Sequence, residues 1–173
     1  MKNKRITHLC RLGLLCALAI ALSAFESIFT PLLPPFAKAG LSNVAVMLAA
    51  SFLGLPSALA VVLFKAAFAL LMRGAVAALF SISGGVASAL LLWFLFRYVR
   101  FFGVFGISIL GAVTHSAFQL LVSFLLYGNA ILFYVPIALL LALPGGVITA
   151  ALLSAGERLF LHYLPHQRKD RIS

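Results

Sequence analysis

Glu26, Lys38, Asn43, Lys65, His115 and Gln119 are the side chains of this 173-residue chain that bring polar chemistry into or beside otherwise apolar runs. A carboxylate, two ammonium groups, an imidazole and two amides form a recognition set, able to donate and accept hydrogen bonds and to balance charge on a small solute. Hydrocarbon offers such groups no solvation, so at or near membrane depth they are the default candidates for a working site. His115 and Gln119 are one helical turn apart and share a face, which Thr114 borders. Glu26 and Lys65 have opposite signs, and an ion pair between them would ease the desolvation of both. Such a pair would either fix helix register or contact a substrate.

A thin polar strip joins this set: Ser81, Ser83, Gly84, Gly85 and Ser88. Glycines there let another backbone or a flat ligand come close. The strip is not a phosphate loop, because both the glycine spacing and the Lys-Ser/Thr ending are absent. No catalytic constellation emerges. The three acidic residues, Glu26, Glu157 and Asp170, lie far apart in the sequence. His115 has no second histidine at ligand spacing and no carboxylate near it, so neither a metal nor a cofactor is expected. Cys10 and Cys16 suit neither a metal pair nor a disulfide framework and read as small packing residues.

The elements that must position these residues are helices in a bilayer. Hydrophobic residues make up 64% of the chain and charged ones 9%, which excludes an ordinary soluble domain. The net charge of +10 does not indicate nucleic acid, since the basic residues sit at the ends of apolar runs instead of forming one patch. A crossing helix needs about 20 residues. Six apolar stretches qualify as spans, at 9–29, 40–53, 57–72, 75–96, 104–126 and 131–153, the second of them short. Pro31, Pro34 and Pro35 close the first, Gly54-Leu55-Pro56 turns the chain after the second, and Arg73-Gly74 ends the third. Pro136 and Pro144-Gly145-Gly146 are expected to interrupt the last, the latter by a plain kink, the commoner outcome, or by a break that exposes backbone groups to a cavity. No strand-period alternation competes with this reading.

The expected architecture is therefore an all-α, six-helix transmembrane bundle over 12–156, with basic ends at 1–11 and 157–173. Lys2, Lys4 and Arg5 followed by the apolar 12–25 also resemble a secretion signal. Because the rest of the chain is itself membrane-spanning, that segment is expected to stay as the first helix. Six spans collect Lys2, Lys4, Arg5, Arg11, Arg97, Arg100 and the basic tail on one face, and leave only Lys38 and Arg73 on the other. Both termini are thus expected in the cytoplasm. Gly13, Ala17 and Ala21 recur every four residues on the first helix, forming a groove of small residues that serves either internal packing or docking of a separate membrane subunit.

An ordered series of motifs over roughly 22–156 resembles a known family. It comprises Glu26-Ser27, the prolines before Lys38-x-Gly40-Leu41-x-Asn43, then Phe80-Ser81-x-Ser83-Gly84-Gly85-x-x-Ser88. Gly106-x-Ser108-x-x-Gly111-Ala112-x-x-His115-x-x-x-Gln119 and Tyr134-x-Pro136 complete it. The pattern resembles heptaprenyl diphosphate synthase component I, also called the Gx transporter family, which is similar to the substrate-binding S components of energy-coupling-factor (ECF) transporters. Lys65 stands where that pattern carries arginine, and Ser116 where asparagine is usual. The resemblance implies a bacterial cytoplasmic (inner) membrane protein, with Gly13, Ala17 and Ala21 at the positions where S components meet a scaffold subunit.

Two functions follow as expectations. The first is a membrane-embedded substrate-binding subunit for uptake of a small organic solute, working with an ECF-type scaffold and a separate ATPase. Its outward-facing pocket would be walled by Lys38, Asn43, the 81–88 strip, His115 and Gln119, and its cationic rim of Lys38 and Arg73 favours a neutral or anionic solute. The alternative is a non-catalytic component of isoprenoid synthesis, holding a prenyl chain or diphosphate beside a prenyl synthase catalytic subunit. The usual aspartate-rich metal sites of prenyl condensation are absent, since Asp170 is the one aspartate in the chain.

Overall fold

The computed structural model describes residues 2–29, 40–99 and 103–163, with side chains described except at 2–4, 29, 141 and 156–163. Lys38 lies outside the described residues. The order is α1 (Lys2–Phe29), α2 (Asn43–Phe52), α3 (Leu55–Arg73), α4 (Ala75–Tyr98), α5 (Val104–Tyr127), a 3-10 helix (Gly128–Tyr134) and α6 (Val135–Tyr163). The described residues are helical, with no strand among them.

By length and composition, four stretches can cross a membrane: Arg5–Ile28, Leu55–Arg73, Ala75–Tyr98 and Val104–Ala155. The last contains α5, the 3-10 helix and α6 as far as Ala155. The expected second span is not among the four. α2 has 10 residues, about 15 Å at the α-helical rise, half of a hydrocarbon core of about 30 Å. It is instead buried on every side: each residue from Asn43 to Ser51 is buried, and the helix packs against α1, α3, α4 and α6. Alanines 45, 49 and 50 let those neighbours close on it.

Residue contacts fix the register of the bundle. α3 and α4 run antiparallel with Gly85 seated on Val62, and α4 and α5 with Gly84 on His115 and Gly111 on Leu92. α1 runs parallel to α3, with His8 Nε2 3.3 Å from Ser57 Oγ at one end and Arg73 Nη2 donating to Ser23 Oγ at 3.5 Å near the other. Asn43, which opens α2, meets Ser88, about 20 Å along α4 from Ala75 at about 1.5 Å per residue. α2 therefore begins near mid-depth. Leu71, Leu125, Leu140 and Phe133 are among many large apolar side chains exposed on the outside, the surface a lipid solvent requires.

Gly54 and Gly74, at φ +89° and +87°, make the tight turns on either side of α3 in backbone conformations that other residues rarely adopt. Pro56 falls in the first turn of α3, where its missing N–H costs nothing. Of the two outcomes expected at Pro144, a full break does not occur. α6 begins at Val135, places Pro136 in its first turn and continues through Pro144 to Tyr163. Side-chain hydroxyls support the backbone there: Thr149 Oγ donates to the Gly145 carbonyl and Ser108 Oγ to the Gly146 carbonyl, both at 2.7 Å. Gly146 in turn lets α5 approach, because a Cβ there would lie 2.9 Å from Ile109 Cα.

Candidate functional site

Two groups of buried polar side chains lie inside the bundle. In the first, Glu26 reaches from the end of α1 to the start of α2. Its Oε1 accepts from the Leu41 N–H and its Oε2 from Ser42 Oγ at 2.8 Å. The first N–H groups of a helix lack intrahelical partners and carry partial positive charge. A carboxylate supplied by another helix is a fitting acceptor beside them. Ser42 occupies the N-cap position, yet its hydroxyl makes no bond to its own helix and turns to Glu26 instead. One residue on, Asn43 Oδ1 accepts from Ser88 Oγ at 3.4 Å, and that hydroxyl also reaches the Gly85 carbonyl at 3.1 Å.

The second group spans α4 and α5. Gln119 Nε2 lies 3.3 Å from the Phe80 carbonyl and 3.1 Å from His115 Nε2. An amide nitrogen carries two hydrogens and no acceptor, so this geometry makes His115 Nε2 the acceptor and places the imidazole proton on Nδ1. Gly84 is what brings the helices this close, since a Cβ there would lie 2.7 Å from the His115 carbonyl and 2.9 Å from its ring. Ser83 Oγ donates to the Phe80 carbonyl at 3.2 Å. At Gly84 and Gly85 the close approach anticipated from sequence is made by His115 and Val62 of neighbouring helices.

Among the sequence-derived candidates, the fold thus brings Asn43 to Ser88, and Gly84 to His115, whose ring meets Gln119. Glu26 and Lys65, expected to pair, act on each other electrostatically. The hydrogen bonds described for the Glu26 carboxylate go to Leu41 and Ser42, whereas Lys65, buried on α3, senses Glu26 and Arg73 as neighbouring charges. Ser81 is buried and its Oγ has no hydrogen-bond partner. Gly13, Ala17 and Ala21 are exposed on α1, and a Cβ at Gly13 would meet nothing within 4 Å, so this groove does not pack inside the bundle.

Sequence reasoning missed Ser42, the Phe80 carbonyl and the Ser108–Gly146 bond. Ser42 had a signal, since serine directly before an apolar helix is a preferred N-cap. The other two depend on inter-helix register and had none.

Apolar helices long enough to cross a bilayer, an apolar exposed surface and a buried hydrogen-bonded interior together define a helical membrane protein. Comparison of the sequence with known families narrows this. The family described as heptaprenyl diphosphate synthase component I matches residues 15–155, and the chain belongs to it. No curated protein and no solved structure matches the chain.

Proposed function

We propose that this protein is the non-catalytic membrane component of a two-component prenyl diphosphate synthase, holding the isoprenoid chain at the bilayer while a separate subunit performs the condensation. Membership of the component I family carries the reading. The disposition of the acidic residues supports the division of labour. Magnesium bound to a diphosphate is usually held by one or two protein carboxylates. Glu26 already serves the start of α2, and the two other acids, Glu157 and Asp170, lie at the far end of the chain. The metal-holding carboxylates would therefore come from the partner. The start of α1 and the end of α4 lie at the same end of the bundle and bear Arg5, Arg11 and Arg97. With both termini cytoplasmic, that basic end suits a diphosphate or an acidic surface of a cytoplasmic subunit.

The test is reconstitution in nanodiscs with the prenyl synthase catalytic subunit from the same genome. Elongation of farnesyl diphosphate by radiolabelled isopentenyl diphosphate is measured with and without this chain. Long-chain product that requires both proteins is the expected result. A catalytic subunit that makes the same product at the same rate alone refutes the proposal.

A second reading is a solute-binding uptake subunit docked on an ECF-type scaffold. It draws support from the exposed small-residue face of Gly13, Ala17 and Ala21, and from the buried amide and imidazole groups around Asn43, His115 and Gln119. Co-purification with a scaffold subunit that is lost in Ala17→Leu, with synthase activity unaffected, would favour it.

A further inference from the structure

The outward face of α4 changes character at its last turn. Val76, Leu79, Leu90 and Phe94 are exposed along that face, and Arg97 and Tyr98, both exposed, continue it one turn beyond Phe94. The 24 residues of α4 measure about 36 Å at about 1.5 Å per residue, against a hydrocarbon core of about 30 Å. Centred in the bilayer, the helix projects by about two residues at each end. Arg97 and Tyr98 then lie at headgroup depth, with Trp93 and Phe94 just below them.

Three side chains gather on the Tyr98 ring. Trp93 meets it edge-on with ring centroids 6.2 Å apart, Phe94 lies at 5.1 Å, and the Arg97 guanidinium is 6.0 Å from the ring centre. Aromatic side chains concentrate where hydrocarbon gives way to headgroups, and cation–π attraction keeps the guanidinium close to the ring. No carboxylate is supplied by the elements around it: α4 packs against α2, α3 and α5, and none of these four helices contains an acidic residue. Because the stripe leading to Arg97 is the surface that lipid covers, the anion within its reach is a phospholipid phosphate.

We propose that Arg97, with Tyr98 and Trp93, forms a selective site for an anionic phospholipid at this end of the bundle. The guanidinium fork takes the phosphate oxygens, the Tyr98 hydroxyl adds a donor, and the aromatic rings lie against the upper acyl chains. An anionic lipid is preferred to a zwitterionic one because no choline already balances its phosphate. This selectivity is independent of the synthase role, since it concerns the lipid neighbour alone.

The experiment places the full chain in nanodiscs of phosphatidylglycerol and phosphatidylcholine in equal parts, with bromine on the acyl chains of one lipid or the other. Bromine quenches tryptophan at contact range, and Trp93 is the one tryptophan of the chain, so its fluorescence reports which lipid occupies the site. Brominated phosphatidylglycerol should quench Trp93 with an apparent affinity about fivefold above that of phosphatidylcholine, the preference that one arginine near the surface confers. The preference should fall to parity in Arg97→Gln and be kept by Arg97→Lys. Added salt should weaken it in the wild type, a measurement that stands if Arg97→Gln does not fold. Phe133→Trp in a Trp93→Phe background puts a second reporter on the 3-10 helix, which carries no charged residue, and both lipids should quench it equally. Equal quenching of Trp93 by the two lipids overturns the proposal and leaves Arg97 to a protein or soluble anion. A preference that survives in folded Arg97→Gln, or one that appears equally at position 133, overturns it too.

Discussion

Gly84→Ala is the sharpest probe of how α4 meets α5. The added methyl would sit 2.7 Å from the His115 carbonyl and 2.9 Å from two atoms of its ring, where unstrained carbon contacts need about 3.5–4.0 Å. A backbone carbonyl cannot rotate away as a side-chain tip can, so the helices must separate by most of an ångström. Overpacking of this kind costs about 1–3 kcal/mol. Separation also lengthens the Gln119–Phe80 hydrogen bond, already 3.3 Å, at a further cost of about 1 kcal/mol. Replacing glycine by alanine inside a helix returns about 1 kcal/mol. The sum is a loss of about 1–3 kcal/mol. Gly13→Ala is the internal control: its methyl meets nothing, so only the favourable propensity effect remains. Equilibrium unfolding in mixed micelles, followed by circular dichroism, measures both variants. If Gly84→Ala is as stable as the wild type, or Gly13→Ala is the less stable of the two, the assigned α4–α5 seam is wrong.

Glu26→Ala leaves the Leu41 N–H and Ser42 hydroxyl without their acceptor and should cost about 2–4 kcal/mol. Glu26→Gln keeps an acceptor oxygen but loses the charge-assisted character, so its cost should be nearer 1 kcal/mol. Negligible losses from both variants in the same unfolding assay would show that the carboxylate does not anchor α2. Pro144→Ala should leave stability unchanged or raise it by up to about 3 kcal/mol, because α6 is already continuous through that position; a destabilised variant would mean that the helix depends on the proline. In a background without Cys10 and Cys16, Gly103→Cys should react with a membrane-impermeant thiol reagent only from the cytoplasmic side, and Asn129→Cys only from the opposite side. Labelling of both from one side would refute the proposed topology.

Helix boundaries were legible where the chain is punctuated. Gly54-Leu55-Pro56 and Arg73-Gly74 marked both ends of α3 because turn chemistry is local. The shared face of His115 and Gln119 was legible for the same reason, being fixed by one helical turn. The character of α2 was not. An apolar run of 10 residues reads alike whether lipid or protein surrounds it, since the wholly buried helix has no polar stripe to orient it. Glu26 gave away its depth but not its partners, because Leu41 and Ser42 lie fifteen and sixteen residues further on. At Pro144 the sequence left a kink and a full break both open, and the helix is continuous there; which of the two occurs depends on neighbouring helices that local sequence does not reveal.

A central helix wrapped by protein on every side also constrains how the chain is made. Ten residues are too few to be laterally released into lipid by themselves, so α2 must leave the insertion machinery sheltered by α1 and α3. One flank then stays uncovered until α6, which follows α5 in the chain, packs against it. Closure of the bundle's centre is accordingly a late event in biogenesis, and chains truncated before α6 would present an open seam to quality-control proteases.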